Sequence, residues 1–291
     1  MSRKRPALVV HGGAGALRGV DYGREVTHMR GLVELGRDLL AGGASALDAA
    51  VAVVAEMEAS GLYVAGRGAS PNEGGLYELD AAVMDGATQG AGAVAALQGF
   101  AAPIRVARAV MEKSRHVLFA GTGAARFARE QGMTPIADPE RWFTRVGYET
   151  PAGTLETGTV GCAALDKRGR LAAATSTAGV FRKAVGRVGD SPIVGAGVWA
   201  DRTVAVSCTG TGEMFVRCAA AAQLAFRLRL GRQSLARAAS AVLTEVKALG
   251  GNGGLIALTS QGEIAMPFNS YGMKRAALTI EGEIIAEVAR R

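Results

Sequence analysis

Midway along the chain, Gly158-Thr159 opens an apolar run, Val160-Gly161-Cys162-Ala163-Ala164-Leu165, that ends at Asp166. The run reads as a strand with a hydroxyl residue at its mouth. A threonine is a poor nucleophile unless a base stands beside it. One economical base is its own α-amine, freed by cutting the chain just ahead of it. Glycine suits the residue before such a cut, because it has no Cβ to block attack on its carbonyl and tolerates dihedrals that strain the bond. Gly-Thr ahead of a strand is also an ordinary turn followed by a β-branched strand start. The flanking segments decide between the two.

Those segments divide into alternating blocks. Ala7–His11 reads as a buried strand. Arg24–Leu40 reads as a helix with Val26, Leu32, Leu35 and Leu39 at roughly helical spacing, ended by Gly42-Gly43. Ser45 caps a second helix, Ala46–Ser60, with Leu47, Ala50, Val51, Val54 and Met57 on one face. A glycine-rich stretch leads to paired strands at Leu76–Met84 and Gly92–Leu97, around Asp85-Gly86. Pro103 starts a helix to about Lys113, and Val117–Phe119 and Gly123–Gln131 give a short strand and a helix. Thr134–Thr157, with three prolines and no sustained period, reads as a mobile surface segment that leaves Gly158 accessible. Strands then resume at Thr159–Leu165, Leu171–Thr175, Val194–Trp199 and Thr203–Cys208. Helices follow over Gly212–Leu230 and Ser234–Ala248, and strands Leu255–Thr259 and Glu263–Phe268 close the chain. Strands, paired helices, then strands again suit an α/β fold of packed sheet and helix layers better than strict βαβ alternation. A four-layer αββα sandwich is compatible with that order.

Composition narrows the function classes. At 291 residues and 49% hydrophobic, the chain buries a sizeable core, and it has no uninterrupted apolar run of membrane-spanning length. The apolar stretch after the basic N-terminus is too short for a signal-peptide core, so the cytoplasm is the expected compartment. Cys162, Cys208 and Cys218 form no close pair, and His11, His28 and His116 lack metal-ligand spacing. A net charge of +7 comes from scattered arginines and lysines without a basic run, which points to solvated helix faces rather than a nucleic-acid surface. A dinucleotide site at Gly13-Ala14-Gly15-Ala16-Leu17-Arg18 lacks the third glycine and a closing acidic residue.

Three further clusters fit one hydrolytic site with Thr159. Thr175-Ser176-Thr177-Ala178-Gly179 offers a hydroxyl to hold the nucleophile in register. Gly186-Arg187-Val188-Gly189-Asp190-Ser191-Pro192 offers a planar fork for a carboxylate and an acceptor for an ammonium, which together would clamp the two ends of a free amino acid. The alternative there is that Arg187 and Asp190 simply pair with each other on the surface. Ser207-Cys208-Thr209-Gly210-Thr211-Gly212 offers the Thr209 hydroxyl and Gly210 N–H to the oxyanion of a tetrahedral intermediate.

Taken in order, these segments resemble the plant-type asparaginase/isoaspartyl peptidase family, a branch of the N-terminal nucleophile hydrolases. The match also takes in Val10-His11-Gly12-Gly13-Ala14-Gly15, Ser45-Ala46-Leu47-Asp48-Ala49-Ala50, Glu78-Leu79-Asp80-Ala81-Ala82-Val83-Met84-Asp85-Gly86, Gly92-Ala93-Val94-Ala95 and the Glu213 that follows Gly212. It covers nearly the whole chain. The Thr-Val-Gly context is closer to this branch than to the glycosylasparaginases, which usually carry Asp before the threonine. The resemblance implies a single αββα domain that cleaves itself at Gly158–Thr159 into an α-segment, 1–158, and a β-segment, 159–291, assembled as (αβ)2. It implies Thr159 as nucleophile, Thr177 as its positioning hydroxyl, Arg187 and Asp190 as binders of the substrate α-carboxylate and α-ammonium, and Thr209 and Gly210 as the oxyanion hole, with Gly212 in the substrate site. The His11-Gly12-Gly13 loop would support the nucleophile. The implied substrates are asparagine or β-aspartyl dipeptides, with no catalytic cofactor, nucleic acid or membrane partner. A structural sodium ion would be held by backbone carbonyls of Tyr63, Val64, Ala65, Gly66 and Gly68. One departure stands out: Tyr63-Val64-Ala65-Gly66 carries valine where the family usually has asparagine, which removes a side-chain hydrogen bond near the nucleophile or the ion loop.

Overall fold

The computed structural model describes residues 5–144 and 157–289. The first strand, β1 (Ala7–His11), is followed by helices α1 (Gly23–Ala41) and α2 (Ala46–Ser60) and by one 3-10 turn at Gly66–Gly68. Strands β2 (Leu79–Asp85) and β3 (Ala91–Leu97), helix α3 (Pro103–Lys113), strand β4 (Leu118–Ala120) and helices α4 (Gly121–Glu130) and α5 (Pro139–Trp142) come next. The second half holds β5 (Thr157–Leu165), β6 (Leu171–Val180), β7 (Val198–Ala200), β8 (Val204–Gly210), α6 (Gly212–Arg217), α7 (Ala220–Arg229) and α8 (Leu235–Ala248). It ends with β9 (Gly253–Thr259), β10 (Ile264–Ala265), β11 (Gly272–Leu278) and β12 (Ile284–Ala289).

These elements build a mixed α/β architecture with two sheets. The larger runs β12-β11-β1-β5-β6-β2-β3-β4 and the smaller β10-β9-β8-β7. All named pairs are antiparallel except β3 with β4. Strand parity then sorts the core, because successive side chains leave a strand on opposite faces. Leu8, Val10, Val160, Cys162, Ala164, Ala172 and Ala174 join the helices α1 to α4 in one buried cluster. Their neighbours in sequence, Ala7, Val9, Ala163, Leu165, Leu171 and Ala173, face Ala205, Ile256 and Leu258 of the smaller sheet. The far side of that sheet buries Val204, Val206, Cys208 and Leu255 against Phe215, Leu224, Leu235, Val242 and Val246.

The same parity matters for function. Thr159 and Gly161 share a face with Ala163, Thr175 and Thr177 share one with Ala173, and His11 shares one with Val9. All five therefore turn toward the seam between the sheets. The seam is tight: a Cβ at Gly161 would lie 2.0 Å from Ser207 Oγ and 2.4 Å from His11 Nε2.

Local sequence accounts for much of this. Ser45 and Asp48 form a reciprocal capping box at α2, and Gly61 ends that helix in the left-handed region at φ 70°. Pro103 occupies the first turn of α3. Three expectations fail. The buried face of α1 is Met29, Leu32, Val33, Gly36 and Leu40, while Leu35 is exposed, because Gly36 is where the helix meets Leu8 of β1. The long helix expected over Gly212–Leu230 breaks at Ala219, which takes φ 47°. Glu263–Phe268 forms a strand over Ile264–Ala265 only, with one isolated bridge from Phe268 to Gly254, and two strands not read from the sequence, β11 and β12, close the chain instead. Residues 145–156 of the segment expected to be a mobile surface lie outside the described residues. The described part lies at the surface, with α5 burying no residue, and turns inward at Phe143, which is buried and stacked on Tyr77 at 3.9 Å.

Candidate active site

Thr159 sits near the mouth of β5, buried, with the peptide from Gly158 intact and continuous with the strand. The pairing of β5 with β6 slips here: Thr157 faces Val180 but Thr159 faces Thr177, so β6 carries one extra residue across the Gly158 position. Bulges of this kind re-aim side chains and recur beside functional sites. Thr177 is the hub. Its Oγ1 donates to the Gly158 carbonyl at 2.7 Å and accepts from the Gly179 N–H at 2.9 Å. The Thr159 hydroxyl reaches the same Oγ1 at 3.3 Å.

Gly158 is fixed by space rather than by a left-handed dihedral, since its φ is not positive. A Cβ there would stand 2.4 Å from Val64 Cβ and 2.5 Å from Val64 Cγ2. Val64 is therefore in direct contact with the residue ahead of the nucleophile, and its carbonyl accepts the Ala178 N–H at 2.9 Å. The valine noted in the sequence makes an apolar contact at this spot.

Gly158, Thr159, Thr177, Gly179, Val180, Arg187, Gly189, Asp190, Ser191, Gly210 and Gly212 border one cleft. Arg187 and Asp190 converge on it. A Cβ on Gly212 would lie 3.0 Å from Arg187 Nη2 and 2.9 Å from Asp190 Oδ1, so the glycine leaves room between the two charges. They do not pair with each other in the way the plainer sequence reading allows. Arg187 gives its Nε and Nη2 edge to Glu213 Oε1, both at 2.8 Å, and keeps Nη1 beside Gly189 and Gly179. Glu213 is the partner that sequence reasoning left without a role.

Asp190 is buried, and its Oδ2 has no hydrogen-bond partner. Burial pushes its carboxyl up to about 7, against the opposing pull of its own backbone N–H and of Arg187. A buried, unpartnered carboxyl oxygen is costly unless something else satisfies it. Thr209 belongs to β8 beside Gly210, but it does not border the cleft, and its Oγ1 is buried and unpartnered.

His11 lies on β1, across from Gly161 of the nucleophile strand and on the same seam face as Thr159. Its Nε2 shares a hydrogen bond of 2.8 Å with Ser207 Oγ, which contacts Thr175 Oγ1 at 2.7 Å. Complete burial lowers the imidazole pKa to about 3, with the Thr159 backbone acting weakly the other way, so the ring is neutral. Gly12 is crowded by the Tyr63 ring, and Gly13 takes φ 98°. The expected ion loop doubles back on itself: Cβ positions on Gly66 and Gly68 fall on the carbonyl oxygens of Glu58 and Tyr63. The carbonyls of Tyr63, Val64, Ala65 and Gly66 each accept one backbone N–H, which leaves each a second lone pair. Among the described residues no group of three His, Cys, Asp or Glu is placed to hold a metal, and no helix is long and apolar enough to cross a membrane.

A hydroxyl in contact with a polarised carbonyl, set beside a cleft with a guanidinium and a carboxyl on its wall, is the equipment of a hydrolase. Comparison with known proteins agrees. The profile of the asparaginase family matches residues 4–150 and 144–286. The isoaspartyl peptidase of Salmonella typhimurium is 45% identical over 94% of this chain and 95% of its own length. The isoaspartyl peptidase of Escherichia coli is 43% identical over 94% and 92%. The plant-type L-asparaginase of Pyrobaculum calidifontis is 39% identical over 97% and 99%. The chain belongs to the asparaginase family, and it is an enzyme.

Proposed function

We propose that this protein is a self-cleaving threonine amidohydrolase that releases aspartate from asparagine and from β-aspartyl dipeptides. The observation that carries this is the hydrogen bond from Thr177 Oγ1 to the Gly158 carbonyl, with the Thr159 hydroxyl on the same oxygen. In the first step Thr159 Oγ attacks the Gly158 carbonyl carbon. The bond to the Thr159 nitrogen breaks, the ester to Oγ forms, and the proton passes to the nitrogen. Water then cleaves the ester, leaving a carboxylate on Gly158 and a free α-amine on Thr159. An α-amine titrates near about 7.7–8.0, so it works as a base at neutral pH.

The amine next takes the proton of its own hydroxyl as Oγ attacks the substrate side-chain carbonyl. Thr209 Oγ–H and the Gly210 N–H stabilise the oxyanion. The leaving group departs as ammonia or as an amino acid, carrying that proton, and water hydrolyses the β-aspartyl ester. Arg187 holds the substrate α-carboxylate and Asp190 its α-ammonium. The clamp grips only the aspartyl half, so both kinds of substrate fit one site. The orphaned oxygen of Asp190, on the cleft wall, supports its role, and Gly210 borders the same cleft.

The two products of the cut would stay together, because β5 pairs with β1 and β6 with β2 across the cleavage point. The three core clusters support the four-layer αββα arrangement, and we assign the assembled enzyme as (αβ)2. The free pairs on the 63–66 carbonyls support a structural sodium ion with no part in the chemistry. Buried, unpaired Cys162 and Cys208 suit the cytoplasm.

Aspartate release from asparagine and from β-Asp-Leu by the purified protein tests the assignment. Release from at least one is expected, and release from neither contradicts it. The Asp190 site adds a pH signature. The ammonium needs the carboxylate form, and a carboxyl titrating at about 7 must be deprotonated at a cost below that pH. KM for β-Asp-Leu should rise as pH falls below 7, approaching about tenfold per unit. A KM flat down to pH 5 would remove Asp190 from the site.

A further inference from the structure

Behind the cleft lies a buried cation that the chemistry above does not use. The Lys183 side chain is 1% exposed and that of Asp80 is 0%, and Lys183 Nζ stands 3.8 Å from Asp80 Oδ2. Lys183 belongs to the irregular segment between β6 and β7 that carries Arg187 and Asp190. Asp80 lies on β2, directly across from Thr177. The ammonium also donates to the Glu78 carbonyl at 3.1 Å. The Glu78 carboxylate accepts the Gly186 N–H at 3.0 Å, one residue before Arg187. The Arg187 N–H closes the turn onto the Ala184 carbonyl at 3.0 Å, and the Glu73 N–H reaches the Lys183 carbonyl at 2.9 Å.

Gly179 shows how near the two cations come. A Cβ there would lie 3.4 Å from Lys183 Nζ and 3.4 Å from Arg187 Nη1. Two like charges this close in a buried wall repel unless an anion stands beside them. Asp80 is that anion, held in place by the Ala96 N–H at 2.7 Å on Oδ1. Burial lowers the Lys183 pKa and raises that of Asp80, and each is held back mainly by the other's charge.

We propose that Lys183 and Asp80 form a buried positioning pair that fixes the turn carrying Arg187, and so sets the guanidinium to receive the substrate α-carboxylate. This rests on Arg187 being the carboxylate binder. The pair touches no reacting atom. Its loss loosens or displaces the fork without disturbing Thr159 and Thr177, so it weakens substrate binding and spares both self-cleavage and turnover of bound substrate.

The test compares wild type with Lys183→Met, Asp80→Asn, the double variant Asp80→Asn/Lys183→Met, and Arg187→Ala. Each is scored by intact mass for cleavage and by steady-state kinetics on β-Asp-Leu. Each positioning variant should still be cut before Thr159, with KM raised about tenfold and kcat within about threefold of wild type. The double variant, which leaves no buried charge alone, should lie closer to wild type than Lys183→Met does. If Lys183→Met does not fold, the isosteric Asp80→Asn carries the comparison. An unchanged KM in these variants, a fall in kcat at constant KM, or strictly additive effects in the double variant overturns the pair. Arg187→Ala keeps the two claims apart. If it raises KM while the Lys183 and Asp80 variants behave as wild type, only the positioning pair fails. If it binds substrate normally, the clamp itself fails.

Discussion

Thr159→Ala is expected to persist as one uncut chain and to release no aspartate. The substitution removes the oxygen that attacks Gly158 and the oxygen that attacks substrate, so one change eliminates two reactions. The fold should stand. The lost contact is a single hydrogen bond of 3.3 Å to Thr177, which contributes about 1 kcal/mol. The methyl side chain stays on the inner face of a strand paired on both sides. Losing a nucleophile that acts as a unit with its base removes on the order of 10⁶ in rate, below the reach of an ordinary assay. Intact mass, circular dichroism and an aspartate assay on one preparation check this. A folded Thr159→Ala protein that splits at position 158 would assign the cut to another group.

Arg187→Ala should do the opposite: cleave and then fail to hold substrate. Arg187 stands apart from the contacts joining Gly158, Thr159 and Thr177, so the cut needs nothing from it. Substrate binding does. Removing one partner of a buried, hydrogen-bonded charge pair costs about 2–5 kcal/mol, so kcat/KM should fall by roughly two to three orders of magnitude. Glu213 adds a detail. It occupies the Nε and Nη2 edge of the guanidinium, so losing Arg187 also strands a carboxylate at the cleft wall. That repels the substrate α-carboxylate, and removing Glu213 in the same chain should recover part of the loss. Arg187→Ala with normal kcat/KM would move the carboxylate site elsewhere.

What was legible in the sequence was mostly local. β1 and α2 lie where hydrophobic spacing and the Ser45 cap place them, because those signals act within a few residues. The position of Thr159 at the mouth of a buried strand followed from the same logic. The failures are long-range. Leucine spacing put Leu35 in the core, yet the helix rolls so that Gly36 meets Leu8, a contact set by a strand far away in sequence. Ala219 breaks a helix in a left-handed conformation that nothing about alanine announces. β11 was hidden by Lys274 and Arg275 in its middle. Arg275 is in fact buried because Glu287 of β12 meets its guanidinium at 2.7 Å and the Met273 and Val288 carbonyls accept from it.

The site divides the same way. Its hydroxyls and glycines stood in recognisable turns, and the cleft brings Thr159, Thr177, Arg187, Asp190 and Gly210 together. The partners of those groups were not legible. Glu213 on Arg187, Val64 against Gly158 and Asp80 beside Lys183 each join segments that only the sheet pairing brings side by side.

Backbone scission ahead of Thr159 is the event on which the account turns. Freshly purified wild-type protein, sampled over time at neutral pH, should show mass analysis and N-terminal sequencing of a chain beginning Thr-Val-Gly-Cys, with aspartate-releasing activity rising in proportion to that chain. Full activity in a protein that remains one unbroken polypeptide would contradict it.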